Sequence, residues 1–216
     1  MKISTIAFTL CLVILLGSCR NTKQSNDKGA LNEKSEIKYA KGFTIQHFEK
    51  YTQITVRNPW DTTQTMEKYI LVDRNIKLPT NLPDGNIVRV PVQRVATCSS
   101  IFAGEYKQFG DIEKIIAVSE PEYYNIPEIK KGLGTGRIAN LGITTSLNTE
   151  KLIASKPDII IISPFEVSMH DKYKKMGICV VKDASYMEES PLGRTEWIKF
   201  EAAFLGKDSL ANTIFS

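Results

Sequence analysis

Apolar residues in this chain recur with two different periods, and the change of period divides it. In "GFTIQHFEKYTQITVRN", Phe43 and Ile45, then Ile54 and Val56, fall at alternate positions. That alternation predicts two half-buried strands joined by a turn near Glu49 and Lys50. "KYILVD" reads as a third short strand, and "LPTNLPDGN" supplies the Pro and Gly punctuation that ends the set. Residues 42–87 are therefore expected to form a small antiparallel β element. From 88 onward, short apolar runs alternate with helical stretches. "QRVAT", "KIIAVS", "DIIIIS" and "ICVVKD" read as strands, and "RIANLG" as a strand or extended link. The last two are apolar without alternation, as in parallel strands covered on both faces.

The intervening helices carry their own stop and start signals. "SSIFAGEYKQFG" has Ser99 or Ser100 as N-cap and Gly110 past its end. "IPEIKKG" is a short helix, and "NTEKLIASK" starts from Asn148 and is stopped by Pro157. "FEVSMHDKYKKMG" is closed by Gly177, and a terminal helix begins after Pro191. Strands alternating with helices at this spacing predict an α/β fold, a Rossmann-like parallel sheet with flanking helices, over residues 88–190. The terminal stretch, 191–216, bears Trp197, Phe200, Phe204 and Phe215. With nothing after it to cover them, part of its apolar face is expected to be bare.

The first forty residues belong to neither pattern. Lys2 and the apolar run "IAFTLCLVILLG" have the form of a signal peptide over 1–18, too short for a comfortable membrane span. The run closes in "LGSC", which resembles the bacterial lipobox, so Cys19 is the expected lipid attachment site and first mature residue. Acyl chains there would hold the exported protein to a membrane by its anchor alone, facing the periplasm or the cell exterior. Residues 19–41 are polar and read as a tether. Cys98 and Cys179 lie on or beside apolar runs and read as free thiols.

Composition narrows function only a little. The formal charge is +4 with acids and bases interspersed, which makes no case for nucleic acid as a partner. His47, His170, Cys98 and Cys179 show no short ligand spacing, so no metal site is expected. "GLGTGR" follows a helix instead of a strand and reads as a helix stop, not a phosphate loop. No G-x-S-x-G elbow is present, and no base is placed beside Cys98 or Ser99, so no catalytic residue is expected. In open α/β sheets, ligands bind at the carboxyl ends of the strands. Those ends select Ser99, Ser100, Thr144, Thr145 and Ser163 as hydroxyls, with Tyr123, Tyr124, Phe165 and Tyr186 as aromatics. Such a mixture suits a bulky molecule that is partly polar and partly apolar. Ser and Thr are also ordinary helix caps in such loops, so the composition alone leaves both readings open.

The run "NTEKLIASKPDIIIIS", with "IEKIIAVSEPEYYNIPEI" before it, "YKKMGICVV" after it and "VPVQRVATCSS" at the first strand, resembles the N-terminal lobe of the class III solute-binding proteins. The resemblance covers about Arg89 to Phe204. It implies a binding component of an ABC importer for an iron–siderophore, haem or vitamin B12-type ligand, with no cofactor of its own. It implies two lobes joined by a long helix, of which 191–216 would be the start and the second lobe absent. It also implies a permease dimer with its ATPase as partner, met by a surface Glu that the motif places at Glu150. A folded product without useful binding, or a small exported lipoprotein with a structural or enzymatic role, would share the fold and the address. Arg94 and Arg137 are the basic residues nearest the selected loops.

Overall fold

The computed structural model describes residues 31–164 and 172–216. Most of helix "FEVSMHDKYKKMG", including Phe165 and His170, lies outside them, as do the signal run and Cys19. Two five-stranded sheets make up the framework.

The first sheet takes strands β1 (Leu31–Lys34), β2 (Phe43–Phe48), β3 (Thr52–Arg57), β4 (Thr65–Asp73) and β5 (Asn86–Val90), in that order. The first four pair antiparallel, with Phe43 opposite Val56 and Ile45 opposite Ile54. The four alternate apolar side chains of the sequence pattern are thus the buried face. Strand β4 breaks the alternation because both its faces are covered. Tyr69 and Leu71 join the main core, while Ile70 and Val72 pack with Tyr51, Phe48 and Leu82. Strand β5 adds to β4 in parallel, which makes the sheet mixed and not wholly antiparallel. It also runs across the expected border at 87/88, because "NIVRV" is short and interrupted by Arg89.

The second sheet contains β6 (Val95–Thr97), β7 (Ile115–Val118), β8 (Ala139–Asn140), β9 (Ile159–Ile162) and β10 (Cys179–Lys182). Its order is β10-β9-β6-β7-β8, and every pairing is parallel. All four isoleucines of β9 and all of "IIAV" in β7 are buried, as a doubly covered sheet requires. Helix α1 (Ser100–Gln108) starts at Ser99, whose Oγ accepts the Ile101 N–H at 3.2 Å. Helix α2 (Pro127–Gly134) is followed by Gly136 at φ +75°, so the glycine cluster is a helix stop. Helix α3 (Thr149–Ser155) is capped by Asn148, whose side chain accepts the Lys151 N–H at 2.9 Å.

The tail departs from expectation. In place of the start of one long helix there are three: α4 (Pro191–Glu196), α5 (Ile198–Leu205) and α6 (Asp208–Phe215). Gly206, at φ +66°, ends α5 in a left-handed cap that other residues adopt at a cost. All eight residues of α5 are buried, and Trp197, Phe200 and Phe204 are completely so. They meet the small sheet: Phe43 lies 4.8 Å from Trp197 and Tyr69 5.5 Å from Phe204, ring centre to ring centre. Of the side chains expected to be left bare, Trp197, Phe200 and Phe204 are therefore core, covered by the small sheet that precedes the lobe in sequence, whereas Phe215 is half-buried and Leu192, Leu210 and Ile214 of the tail are exposed.

Part of the tether is also structured. The N–H groups of Lys38, Tyr39 and Ala40 donate to the Glu196 carboxylate, at 2.7–2.9 Å. Those of Lys41 and Gly42 donate to Glu188, which also takes the Trp197 indole N–H at 2.9 Å. Two tail carboxylates thus hold residues 38–42 as a strap, an arrangement no local apolar pattern could disclose.

Candidate ligand-binding site

The strand order reverses at β6: β7 and β8 build out on one side, β9 and β10 on the other. The crevice beyond the carboxyl ends of β6 and β9 is therefore the switch point at which open α/β sheets receive ligands. Ser99 and Ser100 follow β6 there, and Ser163 follows β9; all three are half-buried. Phe165 lies outside the described residues.

The loops after β7 and β8 are braced together. Ser119 and Thr144 share a hydrogen bond at 2.7 Å, and the Thr144 hydroxyl donates to Glu120 Oε2 at 2.7 Å. Glu120 itself sits at φ +47°, and its N–H donates to the Gly142 carbonyl at 2.7 Å. A non-glycine residue in that region persists only where its surroundings fix it, and here two rim loops do so. Thr144 is consequently buried within the brace, while Thr145 beside it is exposed.

The two adjacent tyrosines part company. Tyr123 is 68% exposed, whereas Tyr124 is buried and its hydroxyl donates to the Thr97 carbonyl at 3.2 Å. Burial raises that phenol's pKa far above its usual value. Tyr124 therefore secures the loop from beneath, and Tyr123 faces outward. Tyr186, after β10, is exposed as well. Two side chains that composition did not select join them: Ile101 (64% exposed) and Ile143 (57% exposed). An isoleucine directly after a helix cap or inside a Gly–Thr loop has no periodic signature. Only the placement of all five loops at one sheet edge reveals the shared surface. Of the four, Ile101 and Tyr186 line a common cavity.

Below the β10 loop lie three carboxyl groups that pair with no basic side chain among the described residues. They are Asp183 at the strand end, Glu105 on α1 and Glu201 on α5. Asp183 Oδ1 accepts the Ser185 N–H at 2.7 Å, but its Oδ2, Glu105 Oε2 and both Glu201 oxygens are buried without hydrogen bonds. Burial pushes the Asp183 pKa up to about 6 against the pull of the Ser185 hydrogen bonds. Burial also raises Glu105 and Glu201, and the charge of Asp183 raises both further. Among the described residues, no three His, Cys, Asp or Glu side chains are placed to hold a metal ion. Burial and mutual charge thus favour the protonated form of all three carboxyls. A cavity of about 410 Å³ lies over it, between Ile101 and Glu105 of α1, Tyr186, and Arg194 of α4. Of the larger hollows, those of about 790 and 560 Å³ are lined by the strap, α6 and the small sheet, and one of about 570 Å³ by Arg94, Arg137 and Ser155 at the opposite end of the parallel sheet.

Glu150 is exposed in the first turn of α3, where the helix dipole also favours an acid. Arg94 and Arg137 point away from ligand duty. Arg94 donates to the Ser155 and Lys156 carbonyls at the end of α3, and Arg137 to those of Glu113 and Ile115 at the start of β7. Both lie at the end of the sheet opposite the rim. Neither Cys98 nor Cys179 is in a disulfide, and burial pushes the Cys179 thiol up to about 12.

No family model matches the chain. It is 32% identical over 150 residues to an uncharacterized lipoprotein of Methanocaldococcus jannaschii, covering 66% of this chain and 37% of that one. A second uncharacterized lipoprotein of the same organism is 28% identical over 202 residues, covering 83% and 48%. The chain thus spans less than half the length of either curated relative. Among solved structures, the petrobactin-binding protein of Bacillus subtilis superposes with a TM-score of 0.50 and 13% identity, over 74% of this chain and 48% of that one. A periplasmic haem-binding protein from Pseudomonas aeruginosa gives 0.47 and 18%, over 57% and 42%. The likeness to the petrobactin-binding protein is one of fold alone: a parallel sheet flanked by helices, to which this chain adds a small mixed sheet.

Proposed function

We propose that this chain is the solute-binding lipoprotein of an ABC importer, capturing a bulky metal chelate, haem or corrinoid at the rim and delivering it to a permease dimer driven by its ATPase. The carrying observation is the rim itself. Exposed Ile101, Tyr123, Ile143 and Tyr186 stand among hydroxyls at the switch point of a parallel sheet. Aromatic and aliphatic surface would take the ligand body, and Ser99, Ser100, Thr145 and Ser163, with helix N-terminal amides, its polar edge. Thr144 and Tyr124 act behind this surface, holding its loops. Cys19 carries the lipid, and the stretch between it and the strap sets the distance from the membrane. Glu150 is the docking acid for the permease. The lipoprotein names of the relatives support the exported, anchored address.

Binding of haemin, cyanocobalamin and a ferric tris-catecholate, followed by thermal shift and equilibrium dialysis, tests the reading. One probe should raise the melting temperature, and Tyr123→Ala should weaken that probe about tenfold, the equivalent of ~1.4 kcal/mol. A chain that none of the three stabilises at saturating concentration is not a capture protein of this kind. Glu150→Lys should leave probe affinity unchanged while reducing import in cells. Unchanged import would remove the docking role from Glu150.

A further inference from the structure

The end of the molecule opposite the rim carries a surface of its own. Arg74, which follows β4, pairs with Asp158, which immediately precedes β9. The rim loops leave the carboxyl end of β9, so the loop after β4 lies at the amino ends of the parallel strands. The turn between β2 and β3 lies there too, because β2 and β4 are both antiparallel to β3 and so run in the same direction. Between these two segments is a cavity of about 560 Å³, lined by Glu49, Lys50 and Tyr51 on one side and by residues 76–82 on the other.

The cavity has an apolar floor and an apolar, basic lip. Tyr51 and Leu82 pack on Ile70 and Val72 of β4. Ile76 and Leu78 are 40% and 44% exposed, with Lys50 and Lys77 beside them. The loop is held in shape from behind: the Arg89 guanidinium donates to the Arg74 and Ile76 carbonyls, and Asp73 accepts the Asn75 N–H at 2.6 Å. Lys50, Lys77 and Arg89 have no carboxylate at ion-pairing distance among the described residues, and Glu49 is the single acid in the lining. The chain from Cys19 enters the fold at this same end. Leu31, the first residue of β1, pairs with Phe48, the residue before Glu49. Leu31 follows Cys19 by 12 residues (31 − 19), a reach of at most about 40 Å.

We infer that this face rests on the membrane, with Ile76 and Leu78 entering the boundary between headgroups and acyl chains and Lys50, Lys77 and Arg89 meeting the phosphates of anionic lipids. The inference rests on the lipid anchor at Cys19 in the reading above, and not on which ligand is captured. Two apolar side chains and three cations hold a free protein to a bilayer only weakly. An anchor within reach makes the contact intramolecular, so a weak contact suffices. A second copy of the chain is a poorer occupant, because two such faces would set the cations of one against those of the other. With this face down the rim points into solvent, where ligand arrives, and the domain must lift for the rim to meet a permease.

The test uses the lipidated mature protein in vesicles of phosphatidylglycerol and phosphatidylcholine, with hydrogen exchange compared with that of the unlipidated Cys19→Ser chain in solution. Exchange in residues 49–51 and 76–82 should slow about threefold or more on the vesicles, while 142–146 and 183–187 of the rim stay unchanged. Vesicles of phosphatidylcholine alone should protect less, because the cations then face no net charge. Lys50→Glu combined with Lys77→Glu should abolish the protection and leave ligand affinity unaltered. Equal exchange on and off vesicles, or protection of the rim with 76–82 still open, overturns the membrane face while anchor and capture stand. Protection of 76–82 in the unlipidated chain that grows with protein concentration and needs no vesicle also overturns it, in favour of a second copy. If fatty-acid labelling in cells leaves Cys19 unmodified, the anchored address falls and the membrane face with it.

Discussion

Two kinds of buried carboxylate distinguish this molecule at the residue scale. Glu196 and Glu188 are satisfied by backbone, whereas Asp183 Oδ2, Glu105 Oε2 and both Glu201 oxygens are buried without a hydrogen bond. Burial works to raise the Glu196 pKa, but the N–H groups of residues 38–40 and Lys199 outweigh it and hold the carboxyl below its usual range. Hydrogen bonds to a charged group contribute about 1.5–3 kcal/mol each. Glu196→Ala should therefore cost on the order of 3 kcal/mol in urea unfolding; a loss below about 1 kcal/mol would mean that the strap is not held there. The unsatisfied trio has the opposite linkage. The Asp183 pKa in the folded state, about 6, lies above its ordinary 3.8, so folding takes up a proton. Its contribution to stability is complete below about pH 4 and is lost as pH rises through about 6. Glu201 and Glu105, also raised, extend that loss to higher pH. Glu201→Gln should then raise stability at pH 8 by about 1 kcal/mol or more while changing it little at pH 5. Equal effects at the two pH values would show that the trio is not holding protons.

At the scale of elements, what the sequence made legible was periodicity and caps. Alternation found β2 and β3 down to their buried residues, and Ser99 and Asn148 were readable as caps because the side chain acts on its own backbone. The chain could not disclose what a carboxylate grips 150 residues away, so the strap over 38–42 read as tether. Nor could it disclose what covers α5, because a continuous apolar helix looks alike whether it leads outward or lies between two sheets. The rim was legible in part. Ser99, Tyr123 and Tyr186 follow from the rule about strand ends, but Tyr124, one residue along, turns inward to Thr97, and Ile101 and Ile143 carry no local signal. The strap also explains a glycine. A Cβ at Gly42 would lie 2.7 Å from the Trp197 ring, which the Glu188 carboxylate pins in place. Gly42→Ala should destabilise by about 1–3 kcal/mol through overpacking. Chemical denaturation of that variant, compared with Gly134→Ala, where a Cβ meets nothing within 4 Å, checks the claim.

At the scale of the whole molecule, the tail joins what the sequence separates. Helix α5 fills the space between the small sheet and the parallel sheet, and Tyr69 closes the edge strand β10 with two hydrogen bonds. An uncovered sheet edge invites pairing with another chain, and this one is capped from within. The small sheet is thereby fixed against the parallel sheet that carries the rim. The account stands on ligand arriving at that rim, and hydrogen exchange with and without the tightest-binding probe of the panel tests it most directly. Protection should rise in residues 98–100, 119–124, 142–146 and 183–187, and stay unchanged in 110–114, 135–138 and 156–158 at the opposite end of the strands. Protection confined to that opposite end, or no change with any probe, would contradict it.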